Sequence, residues 1–236
     1  MDLDPLKWTR EAPPLRGRLL FSKVWGSFSH DTQLPGSDVD YTGVYAGHLA
    51  DVAGMHPPQD TLTGEKPDYQ VHEAKKFCDL LLKGNPGIVE MLFTDQFFWA
   101  APEWEALRLE RKRFLTATVV RQYLGYSLAQ LQRFRNSKPV HSKGGVAGEK
   151  WCYHMVRVAW DAERIAKGGE PKVWKDGDEK AKLMAIRTGE CPTEEAVREA
   201  ERAVSRVDAA KPWPLQERAD EGFLDGWLLS VRGVKR

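Results

Sequence analysis

Cysteine is scarce in this 236-residue chain: Cys78, Cys152 and Cys191 are odd in number, widely spaced, and lack any Cys-x-x-Cys pairing. That excludes a disulfide framework and a zinc knuckle, and it fits a reducing cytoplasmic setting. His30, His48, His56, His72 and His141 have no zinc-site spacing either. Also missing is any apolar run near the roughly 20 residues of a membrane span. The first twenty residues mix acids, prolines and arginines without the apolar core of a signal peptide, so the expectation is a soluble intracellular protein with no membrane partner. Charge of one sign is lacking too: 35 basic residues face 34 acidic ones, for a net charge of +1. No global field draws such a chain onto nucleic acid, although a local basic face remains open. There is no internal repeat and no low-complexity segment. What remains is a globular composition, 42% hydrophobic with nine tryptophans, in a length that suits one large domain or two small ones.

Strand signals concentrate in the first half. "RLLFSKVWGS" is a short apolar run ending in Gly26-Ser27, and "SDVDYTGVYAG" alternates with a period of two after a Pro35-Gly36 turn. Residues 48–67 are rich in glycine and proline and read as a loop. "DYQV" reads as a short strand before a helix that carries Ala74, Phe77, Cys78 and Leu81 and stops at Gly84. Asn85-Pro86 then starts another helix as N-cap and first helical residue. From Pro102 onward the pattern is helical. Trp151, Met155, Val158, Ala162 and Ile165 form one apolar stripe, Thr193 is a candidate N-cap for a helix through Ala210, and "DEGFLDGWLLSVR" supplies the last helix. The expected fold class is α/β (α+β), with a mixed-sheet core over residues 1–101 followed by a helical bundle over residues 102–236.

The chemistry sits in "GSFSHDTQLPGSDVDYTGVY", residues 26–45. Residues i and i+2 of a strand leave the same face, so Asp38 and Asp40 emerge together, about 7 Å apart. Two ionised carboxylates that close repel, and a shared divalent cation removes the cost. Gly26 lets a ligand approach the backbone, amides at a turn can point at phosphate oxygens, and Ser27 adds a hydroxyl. Asp-x-Asp alone is common in surface strands. Its fixed spacing after Gly-Ser and proline is not, and the combination suits a metal-bound triphosphate attacked at its α-phosphate.

This stretch resembles the signature of the DNA polymerase β nucleotidyltransferase superfamily, in particular the nucleotidyltransferases associated with RNA repair and common in phages. The likeness continues through "HEAKKFCDLLLKGNPGIVEMLF", with Asn85, Pro86 and Glu90, and through "KWCYHMVRVAWDAERIAKGGEP". It implies a polymerase-β-like core, an NTP donor, two Mg²⁺ ions with Mn²⁺ as a substitute, and an RNA or tRNA end as acceptor. By that resemblance Asp38 and Asp40 are metal ligands, and Gly26, Ser27 and Ser37 belong to the nucleotide site. A third carboxylate is expected to join the metal site and help deprotonate the acceptor, with Asp68 the first choice and Glu73 the second. His154 and Arg157 are either cleft-facing nucleotide contacts or part of a solvated helix face with Asp161 and Arg164. Lys150 heads the same helix and could reach the substrate. Phe28 and Asp31 depart from the arginine and glycine of many relatives, which weakens the case for tight nucleotide binding.

Other readings stay open at this point. "VHSKGGVAGEK", residues 140–150, lacks the ending of a P-loop and reads as a mobile loop. "RLERKRF" with Arg121, Arg133, Arg135 and Lys138 could receive RNA, with Tyr123, Tyr126 and Phe134 for stacking, or could be a solvated face paired with Glu105 and Glu110. The same core could serve a protein or small-molecule acceptor. A silent nucleotide-binding or partner-binding module, of an antitoxin or phage counter-defence type, is the alternative from another class.

Overall fold

The computed structural model describes residues 3–136, 141–142 and 145–234. A 3₁₀ turn at Lys7–Arg10 precedes β1 (Gly17–Trp25), and a second at Gly26–His30 leads toward β2 (Asp40–Gly47). Then come α1 (Leu49–Ala53), β3 (Thr61–Glu65), β4 (Asp68–Glu73), α2 (Ala74–Leu82), α3 (Pro86–Leu92) and β5 (Phe98–Ala100). The five strands form one mixed sheet in the order β3-β4-β2-β1-β5, with β2 and β4 parallel and the other neighbours antiparallel. After α4 (Pro102–Leu109) and a 3₁₀ turn at Arg111–Phe114, the chain is helical: α5 (Ala117–Asn136), α6 (Ala147–Ala166), α7 (Gly177–Thr188), α8 (Thr193–Ala209) and α9 (Glu221–Ser230). A two-residue pair, β6 (His141–Ser142) with β7 (Gly145–Val146), precedes α6 inside the segment expected to be a loop. The fold is thus the α/β class expected, with its sheet early and its helices late.

Local chemistry explains several boundaries. Asn85 Oδ1 accepts the Ile88 N–H at 3.3 Å and Pro86 follows at the first helical position, as their sequence suggests. Gly84 ends α2 at φ +72, and a Cβ there would crowd Val119 of α5. Three readings need correction. The 48–67 stretch holds α1 and strand β3, because β4 offers an open edge to "TLTGE" that composition does not reveal. Asp38 lies two residues ahead of β2 and not on it, because the strand pairing with β1 begins at Asp40. Thr193 caps nothing: the N-cap position of α8 belongs to Pro192 and no side chain caps it.

The largest core cluster joins Phe21, Val44, Phe77 and Leu92 of the first hundred residues to Trp104, Val120, Val158 and Trp227 of the rest, so apolar packing runs across residue 101. A second cluster lies among α5, α6, α7 and α8, with α6 as the common partner. A third, around Trp8, Val24, Tyr41 and Tyr69, covers the other side of the sheet. The apolar stripe read for α6 holds: Met155, Val158, Ala162 and Ile165 are all buried.

Candidate active site

Trp25 and Asp40 are the last registered pair of β1 and β2, so the turn leaving β1 and the carboxylate opening β2 arrive together. Gly26 sits there at φ +67, and a Cβ built on it would overlap Asp40 Oδ2. Only glycine tolerates both that backbone and that approach. The Ser29 hydroxyl closes the turn by donating to the Gly26 carbonyl at 2.9 Å, and the Thr32 N–H donates to the Ser27 carbonyl at 3.0 Å. The Thr32 hydroxyl stands 2.7 Å from the Tyr153 hydroxyl, which fastens this turn to α6. Ser37 accepts the Leu34 N–H at 2.9 Å and returns its own N–H to the Leu34 carbonyl, fixing the Pro35-Gly36 turn just ahead of the aspartates.

The parallel register pairs Tyr41 with Tyr69, so Asp40 and Asp68, one residue earlier on each strand, stand side by side on one face. Asp38 and Asp68 are exposed and Asp40 is half-buried. Burial raises the Asp40 carboxyl above its ordinary value, Asp68 and then Asp38 push it the same way, and Lys150 pulls it back. Asp38, Asp68 and Lys150 therefore all lie within electrostatic reach of Asp40. Among the described residues no three His, Cys, Asp or Glu side chains are already close enough to enclose a metal ion. An all-oxygen donor set is nevertheless the kind Mg²⁺ takes, since that ion keeps several waters and binds through one or two carboxylates plus substrate phosphates.

Glu73 does not join this group. It lies five residues along β4 from Asp68, which puts it on the opposite face and roughly 16 Å away. There it is buried and fully engaged: Oε2 accepts the Lys75 N–H at 2.7 Å as the cap of α2, while Oε1 accepts the Gly47 N–H at 3.2 Å and Arg232 at 2.8 Å. Arg157 is also not where either sequence reading put it. It is only 6% exposed, and its Nη1 donates to Glu90 Oε1 at 2.6 Å. Burial works against its charge, but Glu90, Tyr153 and Asp161 outweigh burial and raise its pKa. Asp161 is equally buried, paired with Lys175 at 3.2 Å and with Arg164 at 2.9 Å. His154 is kept neutral, its pKa lowered to about 3 by burial first and then by Arg157, Lys150 and Arg187. Its Nδ1 is buried with no hydrogen-bond partner among the described residues.

The profile of the RNA repair pathway DNA polymerase beta family matches residues 1–202. The chain belongs to this family. No curated protein is matched. Membership in the RNA repair pathway DNA polymerase beta family makes the chain nucleotidyltransferase-like, a transferase connected with RNA repair. Two features of this family member lose the significance their sequence suggested. Phe28 is buried in the core beside Trp8 and Tyr41, and Asp31, held in a left-handed conformation at φ 55, is paired with Lys180 of α7. The acid at position 31 therefore brings no uncompensated charge.

The basic run is mostly spent internally. Arg108 binds Glu105 and Asp95, Arg111 and Lys112 bind Glu170, Arg113 binds Glu110 and Asp220, Arg121 binds Glu217 and Arg135 binds Glu201. Tyr123 is buried, Tyr126 is exposed, and Lys138 lies outside the described residues. Among the described residues no helix is long and apolar enough to cross a membrane. The sequence reading passed over Thr32, Tyr153 and Arg187. A Thr-Tyr hydrogen bond spanning 121 positions leaves no local signal.

Proposed function

We propose that the protein transfers a nucleoside monophosphate from an NTP to a hydroxyl acceptor, with an RNA or tRNA end as the leading acceptor. The observation that supports this most is the meeting of Asp38, Asp40 and Asp68 with a glycine-serine turn at the ends of β1, β2 and β4. In this reading Asp38 and Asp40 would hold two Mg²⁺ ions, replaceable by Mn²⁺, with Asp68 as a third ligand. The bound ions supply Lewis-acid stabilisation of charge developing on the α-phosphate and on the leaving oxygen. The turn at Gly26 and Ser27 receives the triphosphate, with Ser37 holding the loop that aims the aspartates. Asp68 takes the proton of the acceptor hydroxyl as its oxygen bonds to the α-phosphorus. The bond from that phosphorus to the bridging oxygen breaks, and pyrophosphate leaves. Arg157 is a positioning residue: its buried pair with Glu90 holds α6 against α3, so that Lys150 and His154 stand by the site.

One observation favours a second acceptor class. Because the arginines of α4 and α5 are largely neutralised by the chain's own acids, RNA as acceptor rests on family membership, and a protein or small-molecule hydroxyl suits the same core. The test is incubation with each α-labelled NTP, Mg²⁺ and total RNA, beside an Asp38→Asn/Asp40→Asn variant. Label on RNA that requires both aspartates supports the first reading, and label on protein or a small molecule supports the second. No transfer together with no Mg²⁺-dependent NTP binding would leave a silent partner-binding module.

A further inference from the structure

A triphosphate carries about four negative charges, and the turn that would receive it offers no cation to meet them. Residues 26–31 contain neither lysine nor arginine. His30 is held neutral by burial, its pKa well below the usual histidine value, and Lys180 is committed to Asp31. The Mg²⁺ ions of the reading above would neutralise part of that charge, and any side-chain cation for the rest has to come from outside the turn. Arg187, in the last turn of α7, is half-buried with its guanidinium 5.3 Å from the centre of the Tyr153 ring, and no carboxylate among the described residues pairs with it.

The contacts around Arg187 lead to the turn. The Tyr153 hydroxyl meets the Thr32 hydroxyl, and the Thr32 N–H is bonded to the Ser27 carbonyl. The path therefore runs from Arg187 through Tyr153 and Thr32 to Ser27. Lys150 precedes Tyr153 and His154 by one turn of α6. An arginine stacked on an aromatic ring keeps its fork of donors fixed in direction, which suits a phosphate group.

We propose that Arg187, with Lys150 beside it, binds the β- and γ-phosphates of the nucleotide and so bears the pyrophosphate as it leaves. This rests on the nucleotidyl-transfer reading above and names a residue for its leaving-group side. Commitment to the donor's phosphates, and not to phosphates of an RNA acceptor, follows from the link to Ser27: the path of contacts from Arg187 ends on the turn.

The test uses the full chain with Mg²⁺ and compares wild type, Arg187→Gln and Arg187→Lys. Calorimetric titration with ATP, AMP, inorganic tripolyphosphate and a short RNA is run beside thermal melting. Arg187→Gln is expected to weaken ATP and tripolyphosphate binding by about tenfold or more, as loss of a charge-assisted contact does, with AMP unchanged within about twofold and Arg187→Lys in between. Unchanged ATP affinity, equal loss of ATP and AMP, loss confined to RNA, or no tripolyphosphate binding by the wild type would each overturn the assignment. A wild type that binds tripolyphosphate through Arg187 but transfers nothing would support this subsite and sink the transfer reading. Active transfer with ATP binding unaltered in Arg187→Gln would do the reverse.

Discussion

Two groups of charged side chains in this protein obey opposite rules. Asp38, Asp40 and Asp68 carry one sign, two of them are exposed, and together with burial they drive the Asp40 carboxyl upward. Glu90, Arg157, Asp161, Lys175, Glu179 and Arg164 alternate in sign and join two halves of the chain through contacts of 2.6–4.0 Å. Arg157, Asp161, Lys175 and Glu90 are buried. Buried charge is tolerated when paired and hydrogen-bonded, and it is costly when one partner is removed. The second group thus holds the architecture. The first is arranged at the fold's expense and is explained by a cation and a polyphosphate that would bind there.

The comparison is broken most directly by neutralising one member of each group. Asp40→Asn is expected to lower transfer by about a thousandfold or more, since it removes several kcal/mol of metal-mediated stabilisation, and Asp68→Asn should follow it. Neither should lower the melting temperature. For Asp40 the sign is clear. Its folded pKa is raised, so its contribution to stability is fully present below the ordinary carboxylate value and is lost as pH rises through the shifted one. At neutral pH the charged form is therefore a burden on the fold, and asparagine should melt at the same temperature or higher. A large drop in melting temperature for Asp40→Asn would mean that this aspartate is structural after all.

Arg157→Met should behave in the opposite way, costing about 3–5 kcal/mol in urea unfolding because Glu90 is left buried without its partner. Replacing both, Arg157→Met with Glu90→Leu, should recover much of that loss. If the double variant is no better than the single one, the pair contributes more than mutual neutralisation and the contrast with the aspartates weakens.

The aspartate group was legible in the sequence and the paired group was not, for a physical reason. Asp38 and Asp40 are two residues apart at the entry to β2, and Gly26 and Ser27 leave the end of β1, so local spacing and turn chemistry place them, although Asp38 precedes the strand. Even Asp68 follows once β4 is read as a strand. Glu73 was the competing choice, and only the alternation of faces along β4 separates it from Asp68. Glu90 with Arg157 and Asp161 with Lys175 are pairs defined by tertiary packing. From the helix pattern alone, His154, Arg157, Asp161 and Arg164 form a polar stripe, and polar stripes are usually exposed. Here α7 and α3 cover it. For the same reason β3 went unseen: "TLTGE" becomes a strand because β4 presents an edge, and its own composition argues for a loop.

Lys23 sharpens the contrast, being a buried cation with no carboxylate in direct contact. It is fully buried on β1, its Nζ donates to the Thr94 hydroxyl at 2.8 Å, and burial lowers its pKa to about 7, with Glu90 and Asp95 pulling upward and Arg157 pressing down. A depressed lysine makes the folded state bind fewer protons than the unfolded chain between that value and about 10.4. Stability should therefore rise with pH through this window. From pH 7 to 8.5, below the range where ionisation of the buried Cys78 thiol matters, the gain should be about 1–2 kcal/mol in urea unfolding. Lys23→Met should flatten the slope. A wild-type stability that falls over that interval would show Lys23 charged and stabilised by Glu90.

The smallest effect on transfer belongs to Glu73, and it tests whether one strand serves both rules at its two ends. Asp68 opens β4 in the aspartate group, whereas Glu73 closes it with its oxygens bonded to Gly47, Lys75 and Arg232. Glu73→Gln keeps the shape and one acceptor oxygen but leaves the buried Arg232 guanidinium facing a neutral amide, so it should cost about 2–3 kcal/mol of stability. Transfer should stay within about twofold of wild type at a temperature where both proteins are folded. A Glu73→Gln variant that melts like wild type yet loses transfer would move the third carboxylate from Asp68 to Glu73, against the strand register. It would require β4 to change its pairing with β2 when the nucleotide binds.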